Sequence, residues 1–366
     1  MDVFDYAEHF IMKLARAYPP TRPLQVELHP GLHCDLYRCP FCYGHGQAPL
    51  AGKLITRGDV ARILDDLEGI DPLIHMAGVT TEPLTHPAAA EIVTEIRRRG
   101  FRFALHTKGY RLDERCAHAL LEGTSECFVT ISMDAVTNDQ YMRLHNIPSE
   151  HRDGHRGLRG RDYYDIVKKN VRRLHALKLA SGSSLQVRIA MLLFEENCDE
   201  EQLDRAVSEY SDFCDLIRFA VPQVRNDGVR PTNVPAEAES LLQRLAARFA
   251  GSPKVRVLER TAATLRDTGF NRCEAQRFQV VIDRCGNVFP CPQVAVEQYA
   301  WLCYGNVKAT PLRVILNSAA RLERFDWDVT TQMRCRVCDR KDEAINVMLD
   351  RLHRAFDAVS PHHTPR

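Results

Sequence analysis

The sequence predicts an α/β protein, with repeated strand–helix units forming a parallel open sheet or barrel and a smaller α+β domain after them. Three observations carry this expectation. Strand-like and helix-like segments alternate as far as Val221, the rhythm breaks at Pro222, and cysteines gather once before the break and once after it. Residues 24–28 read as the first strand, and a cysteine-bearing loop runs from there to Gly46. Val60, Ile63, Leu64 and Leu67 recur at i, i+3, i+4 and i+7, with Thr56 placed as N-cap and Gly69 past the helix end. Residues 73–77 form a short strand, and Ala89, Ile92, Val93 and Ile96 repeat the helical spacing between Pro87 and Gly100. Phe101, Phe103 and Leu105 alternate as a third strand, and residues 127–132 are a continuous β-type run. Tyr164, Val167, Val171, Leu174 and Leu177 mark a helix; Leu185, Val187, Ile189, Met191 and Leu193 alternate in a fifth strand, and 216–221 is a sixth. Such units imply parallel strands with right-handed crossovers.

Residues 223–235 read as a polar loop, and Leu241, Leu245 and Phe249 as one more amphipathic helix. From Asp267 onward come short strands, turns and cysteines, closing on a helix at Ile345, Met348, Leu349, Leu352 and Phe356. The expected division is therefore 1–222 for the strand–helix domain, 223–266 for a connecting loop and helix, 267–358 for the small domain and 359–366 for a disordered tail.

The composition is that of an ordinary globular chain: 366 residues, 45% hydrophobic and 27% charged. With 49 Lys and Arg against 48 Asp and Glu, the net charge of +1 gives no footprint for nucleic acid. No apolar run approaches the roughly 18 residues of a membrane span, and the acidic start Met1-Asp2-Val3-Phe4-Asp5 is unlike a signal peptide. A soluble, cytoplasmic protein is expected. The thirteen cysteines are too dilute for a disulfide scaffold, so in a reducing compartment their clusters point to metal binding or chemistry.

Cys34-Asp35-Leu36-Tyr37-Arg38-Cys39-Pro40-Phe41-Cys42 places three thiols directly after the first strand. Three thiolates leave a tetrahedral site, or one iron of a cubane, open to another molecule. A structural zinc is the alternative, with Cys39-x2-Cys42 pairing with Cys335-x2-Cys338 as a four-cysteine ribbon. The loop resembles that of the radical S-adenosylmethionine (SAM) enzymes, C-x3-C-x2-C with an aromatic, here Phe41, before the last cysteine. It carries one extra residue, at or near Tyr37, giving C-x4-C-x2-C.

Further segments carry the same resemblance in the same order over residues ~25–220. Ala77-Gly78-Val79-Thr80-Thr81-Glu82-Pro83 stands where the family has a Gly-Gly-Glu-type motif that meets the SAM amino group, with Thr80-Thr81 replacing the glycines. His106-Thr107-Lys108-Gly109 is similar to the Thr-Asn-Gly turn after the third strand. Ile131-Ser132-Met133-Asp134-Ala135 with Tyr141 and Arg143-Leu144-His145 resembles the fourth-strand segment. The resemblance implies a partial (β/α)6 TIM-like barrel, with Ser132 facing the SAM ribose and Asp134 shaping the same edge. Arg188 is the best cation for the SAM carboxylate, since a guanidinium binds a carboxylate bidentately; an exposed strand charge is the other reading. The implied chemistry is reductive cleavage of SAM to a 5′-deoxyadenosyl radical that abstracts a substrate hydrogen. Phe41, Thr81, Glu82, Ser132, Asp134 and Arg188 are thus the expected cofactor contacts, and Cys34, Cys39 and Cys42 the ligands of the reactive [4Fe–4S] cluster.

Cys273, Cys291 and Cys335-Arg336-Val337-Cys338 form the second set, around two short strands that meet near Gly286. They resemble the SPASM/twitch extension of radical SAM enzymes, which implies an auxiliary [4Fe–4S] cluster on Cys273, Cys291, Cys335 and Cys338. No cysteine follows in 339–366, which favours the shorter twitch form. Cys285 and Cys303 are near enough in sequence to compete as ligands, and a zinc in this domain alone is the alternative. Cys116, Cys127, Cys198 and Cys214 read as small hydrophobes.

Residues 151–161 are a basic, glycine-rich insertion that suggests an anionic substrate such as a phosphate, nucleotide or carboxylate, with a solvated surface loop as the other reading. The expected substrate is a polar small molecule (a sugar, aminocyclitol or nucleoside-like compound) undergoing oxidation or epimerisation, with flavodoxin or ferredoxin as external one-electron reductant. A peptide-modifying maturase is the alternative; the short stretch Met1–Arg22 is expected to leave no room for a leader-binding domain, which favours the small molecule. A zinc-stabilised binding protein is the non-catalytic alternative. No catalytic base is identified.

Overall fold

The computed structural model describes residues 22–32, 34, 39–42, 44–147, 163–231, 233–258 and 270–359. The expected basic insertion, the position of the extra loop residue and the tail beyond 359 lie outside the described residues. Seven strands run parallel in chain order: β1 (Gln25–Leu28), β2 (Leu73–Met76), β3 (Arg102–Thr107), β4 (Cys127–Ser132), β5 (Gln186–Leu192), β6 (Leu216–Ala220) and β7 (Val255–Val257). Between them lie α1 (Arg57–Asp66), α2 (Ala89–Arg98), α3 (Glu114–Leu121), α4 (Asn138–Leu144), α5 (Tyr163–Ser181), α6 (Glu200–Tyr210) and α7 (Ala238–Arg248).

The helices start and stop where the sequence says. Thr56 and Asp59 form a reciprocal capping box at α1, with Asp59 N–H donating to Thr56 Oγ1 at 3.1 Å and Thr56 N–H to Asp59 Oδ2 at 2.7 Å. Gly69 and Gly100, past α1 and α2, take φ of +77° and +78°, the left-handed conformation in which a Cβ is costly.

After β7 come β8 (Gln279–Ile282), β9 (Asn287–Phe289), β10 (Gly305–Asn306) and the helices α8 (Leu312–Leu316), α9 (Ala319–Leu322) and α10 (Arg340–Val359). The sheet order is β10-β9-β8-β1-β2-β3-β4-β5-β6-β7, so β10 and β7 are its edges and it does not close. β8 pairs in parallel with β1, Gln25 opposite Gln279 through Leu28 opposite Ile282, while β9 and β10 are antiparallel. This is a partial TIM-like barrel with a small C-terminal domain attached to its first strand.

Two features go beyond the expected pattern. The connecting segment contributes a seventh strand, only three residues long (Val-Arg-Val) and so too short to show a periodicity. The small domain continues the barrel sheet through β8, a pairing between distant segments that no local pattern encodes.

Alternation along the strands separates two faces. The outer face (Val26, Ile74, Phe103, Leu105, Val129, Ile131, Val187, Ile189 and Phe219) packs on the helices, each buried side chain contributing about 1.5–3 kcal/mol. At the strand starts, the inner face is closed by Leu73, Ala104, Phe128 and Phe278 against Ile345 and Leu349 of α10. Beside and beyond them on the same face the residues turn polar: Gln25, Glu27, His75, His106, Thr130, Arg188 and Arg218.

Candidate functional site

The cysteine loop leaves the C-terminal end of β1 and is clamped to the 77–82 turn after β2. A Cβ on Gly31 would stand 2.2 Å from Glu82 O, and one on Gly44 2.0 Å from Val79 O, so on either side of the thiols the chain comes so close that only glycine fits. Cys42 Sγ donates to Val79 O at 3.1 Å, and Gly44 N–H donates to Cys42 Sγ at 3.3 Å. Cys39 is buried and its Sγ lies 3.2 Å from His145 Nδ1; Cys34 and Cys42 are half-buried.

Glu82 is buried and holds two turns together. Its carboxylate accepts from Thr107 Oγ1, from Lys108 N–H at 3.0 Å and from Leu84 N–H at 3.4 Å. Lys108 Nζ then reaches Asp134 Oδ2 at 3.5 Å and His145 Nδ1 at 3.1 Å, and sits 5.3 Å from the centre of the Phe41 ring. Asp134 is fully buried at a φ of +56°, a region disfavoured for residues with a Cβ. Its Oδ1 accepts from Leu192 N–H at 2.7 Å, and Asn197 Nδ2 donates to its carbonyl at 2.8 Å. Phe41 packs on Phe194 and His145, with ring centres 4.6 and 5.6 Å away.

Burial dominates the electrostatics. It pushes the Cys39 thiol up to about 12 and raises Cys34, whose neighbours Glu82, Cys39 and Cys42 add to the shift. Burial also raises Glu82 and Asp134 against the hydrogen bonds and the Lys108 charge that oppose it. The same burial would depress Lys108, but Cys39, Asp134, Tyr141 and Cys34 outweigh it and its pKa ends up raised. His145 is pushed well below the usual histidine range by burial and by Lys108, so it is neutral. A coordinating metal deprotonates a thiol outright, so these raised values do not bar the three thiols from binding one. Beside them Thr81 Oγ1 is buried without a hydrogen-bond partner, a polar atom on the turn expected to meet a ligand amine. The chemistry of the three thiols suits a cluster with one open iron, although among the described residues no three such side chains are placed to share a single metal ion.

The structure thus brings together Cys34, Cys39, Cys42, Phe41, Thr81, Glu82 and Asp134. Ser132 ends β4 on the inner face, opposite Ala190. Arg188 is also on the inner face but two residues nearer the strand start, between Thr130 and Leu216. Its guanidinium stacks 3.8 Å from the Phe128 ring centre and donates to Gln186 Oε1. It therefore lies away from the Lys108–Asp134–Cys39 group. A cavity of about 640 Å³ lies at this lower end of β5–β7, lined by Thr130, Arg188, Arg218 and Arg256 among others. Sequence reasoning missed Lys108 and His145 as members of the site, although both stand in segments it singled out; their clue was the segment order. It also missed Glu27, His75 and His106, whose clue is polar residues at inward positions of otherwise apolar strands.

Cys273, Cys291 and the Cys335–Cys338 pair converge from three separate segments. The charges of Cys335 and Cys273 raise Cys291, and those of Cys273 and Cys291 raise Cys338, in both cases after burial and Asp342. Asn346 Nδ2 of α10 points at Cys273 Sγ and Cys338 Sγ (3.9 and 3.8 Å), and Asn226 Nδ2 at Cys335 Sγ (3.5 Å). Phe270, Val329 and Met333 pack beside them. Cys285 Sγ instead bonds to Leu50 O, and Cys303 Sγ to Gly305 O. Cys116, Cys127 and Cys214 are buried and Cys198 is half-buried.

A parallel, unclosed barrel with an open three-cysteine loop at the strand C-termini and a four-cysteine set in a C-terminal domain defines an iron–sulfur enzyme class. Two family models match the chain: the radical SAM superfamily over residues 30–206 and the SPASM iron–sulfur cluster-binding domain over 273–339. The protein is a member of the radical SAM superfamily with a C-terminal SPASM domain, for which [4Fe–4S] clusters and SAM are the implied cofactors. Among solved structures, Streptococcus suis SuiB bound to precursor peptide SuiA matches 94% of this chain and 74% of its own at 13% identity, with a TM-score of 0.64. Native anSMEcpe with bound AdoMet matches 83% of each chain at 17% identity and a TM-score of 0.53. At such identities these likenesses bear on the fold. No curated protein sequence matches the chain. Among the described residues, no helix is long and apolar enough to cross a membrane.

Proposed function

We propose that this radical SAM enzyme is an oxidoreductase that takes a hydrogen atom from a polar small molecule of the sugar, aminocyclitol or nucleoside-like class, leading to oxidation or epimerisation. The observation that carries this reading is the inner face: a polar layer of Glu27, His75, His106 and Thr130 over an apolar floor that includes Phe128, Ile345 and Leu349. A polar layer of that kind suits a compact hydroxyl- or amine-bearing molecule.

Cys34, Cys39 and Cys42 hold the reactive cluster, whose bound SAM supplies a 5′-deoxyadenosyl radical on reduction. Thr81 Oγ1 would accept a hydrogen bond from the SAM amino group, and Ser132 and Phe41 would contact the rest of the bound cofactor. Glu82 fixes the 107–109 turn, so that Lys108 stays beside Asp134, and Asp134 holds the edge between β4 and β5. Arg188, which the sequence nominates for the SAM carboxylate, lies deeper; Lys108 is the cation nearer the thiols. Cys273, Cys291, Cys335 and Cys338 hold the auxiliary cluster, which with four thiolates keeps no open iron and serves electron transfer. Flavodoxin or ferredoxin in the cytoplasm supplies the electron.

The likeness to a peptide-bound SuiB over most of the chain favours a second reading, a peptide-modifying maturase. One experiment separates these readings from a zinc-stabilised binding protein and from each other. After anaerobic reconstitution, about eight irons and eight sulfides per chain support both clusters, and about one zinc with little iron refutes them. Reconstituted enzyme with SAM and dithionite is then given sugars, aminocyclitols and nucleosides. A rise in 5′-deoxyadenosine with a member of that panel supports the small-molecule reading, and a rise only with peptides overturns it.

A further inference from the structure

We propose that the cavity at the lower end of β5–β7 holds a phosphate monoester group of the substrate, gripped by Arg188, Arg218 and Arg256. The proposal rests on the small-molecule reading above and narrows it to phosphorylated members of that class.

Strand register brings the three residues to one wall. Arg218 of β6 stands opposite Arg256 of β7, and Arg188 of β5 stands opposite Leu216, two residues before Arg218. Residues two apart on a strand share a face, and all three arginines line the same cavity of about 640 Å³. That volume is within the range of small-molecule sites. Like charges on neighbouring strands repel, and an anion bound between them turns the repulsion into attraction. The acid in the lining, Asp215, is engaged elsewhere: it accepts from Lys178 Nζ at 2.5 Å and from Val187 N–H at 2.7 Å.

Arg188 is held in plane. The Phe128 ring centre lies 3.8 Å from its guanidinium, and Gln186 Oε1 accepts from its Nε at 3.1 Å and from its Nη2. A guanidinium fixed in this way presents a rigid fork to an oxyanion. One fork already matches the two oxygens and single charge of a carboxylate. Three guanidiniums suit a phosphate monoester, which has three terminal oxygens and roughly 1.5–2 negative charges near pH 7.

The register also gives a direction. His106, Thr130 and Arg188 lie in one row across the strands, and Ser132, Ala190, Arg218 and Arg256 in the next row toward the strand ends. Between Ser132 and Arg218 that row carries only the methyl group of Ala190, so no long side chain of the row separates them. A molecule anchored by its phosphate on the arginines can therefore extend over β5 toward Ser132 and the cysteine loop. Beside that path His106 Nε2 is buried without a hydrogen-bond partner. It suits a hydroxyl group, which both donates and accepts, whichever ring nitrogen carries the proton.

The test is calorimetric titration of the reconstituted full chain. The ligands are inorganic phosphate, glucose 6-phosphate, glucosamine 6-phosphate and inositol 1-phosphate, against glucose, glucosamine, myo-inositol and glucuronate. At least one ester is expected to bind roughly 10-fold or more tightly than its unphosphorylated counterpart, with inorganic phosphate competing. Arg218→Gln and Arg256→Gln should each weaken that binding roughly 10-fold or more. Arg115→Gln, which removes an exposed charge on α3, should leave it unchanged. Arg256 is exposed, so its replacement probes the site without disturbing the core. The proposal is overturned if none of the phosphate compounds binds, if binding survives both substitutions, or if glucuronate binds as tightly as the esters. The small-molecule reading is tested apart from it. A rise in 5′-deoxyadenosine with neutral sugars and no phosphate binding overturns the phosphate site alone, whereas a rise only with peptides overturns the reading itself and, with it, the assignment of this phosphate to the substrate.

Discussion

The two cysteine sets solve opposite problems. The first draws three thiols from nine consecutive residues and surrounds them with groups from other strands (Thr81, Glu82, Lys108, Asp134 and His145), so its geometry is local while its chemistry is assembled. The second draws four thiols from three separate segments and faces them with the amides of Asn226 and Asn346. A site that must admit a ligand keeps one coordination position free and polar neighbours close. A site that only relays electrons closes its coordination and tunes it with hydrogen bonds.

The sharpest way to break that contrast is to remove one thiol from each set. Cys39→Ala should abolish SAM cleavage and lower iron by about four atoms per chain, whereas Cys335→Ala should lose a similar amount of iron yet still cleave SAM without substrate. Iron analysis and 5′-deoxyadenosine chromatography read both; equal loss of cleavage in the two variants would erase the distinction.

Next in size is the inner face beneath the first set. The Glu27 carboxyl and the His106 ring are both depressed in the folded state, so the unfolded chain takes up their protons first as the pH falls. Their stabilisation is complete above about pH 6.5 and is lost progressively as the pH falls through their folded values. Urea midpoints should therefore drop from pH 7 to pH 5, where the unfolded histidine takes up its proton, and Glu27→Gln should cost about 3–5 kcal/mol at pH 7.

A smaller effect separates the sets by position. Gly31→Ala forces a Cβ against Glu82 O and should cost about 1–3 kcal/mol. Iron should leave the first set and stay in the second, as paramagnetic resonance of the reduced protein would show. The smallest effect falls on the second set. Asn346→Ala removes the amide that faces Cys273 and Cys338 and also accepts from Ala275 N–H at 2.8 Å, costing about 1–3 kcal/mol. The auxiliary cluster should become harder to reduce in redox titration, with the reactive one unmoved.

The same contrast explains what was legible beforehand. Cys34, Cys39 and Cys42 could be read because their spacing is itself the signal, and the six long strands because alternation and helical spacing are local. The four later cysteines were readable as a set only through resemblance, since Cys273 and Cys335 are brought together by the fold. Lys108 and His145 lay in recognised segments, yet their meeting at Cys39 depends on how β3 and α4 pack. The depth of Arg188 depends on strand register, which periodicity does not give. The Glu27–His75–His106 chain needs three strands side by side before it exists at all.

The pairing of β8 with β1 also has a consequence during synthesis. On the ribosome, Gln25 emerges long before its partner Gln279, so one hydrogen-bonding side of β1 stays open for most of translation. That side is an unpaired, largely buried-type edge of the sort that captures other chains. The late segment that carries the second cysteine set therefore also works as a clasp, and a nascent chain stalled before it would be the form most prone to aggregate.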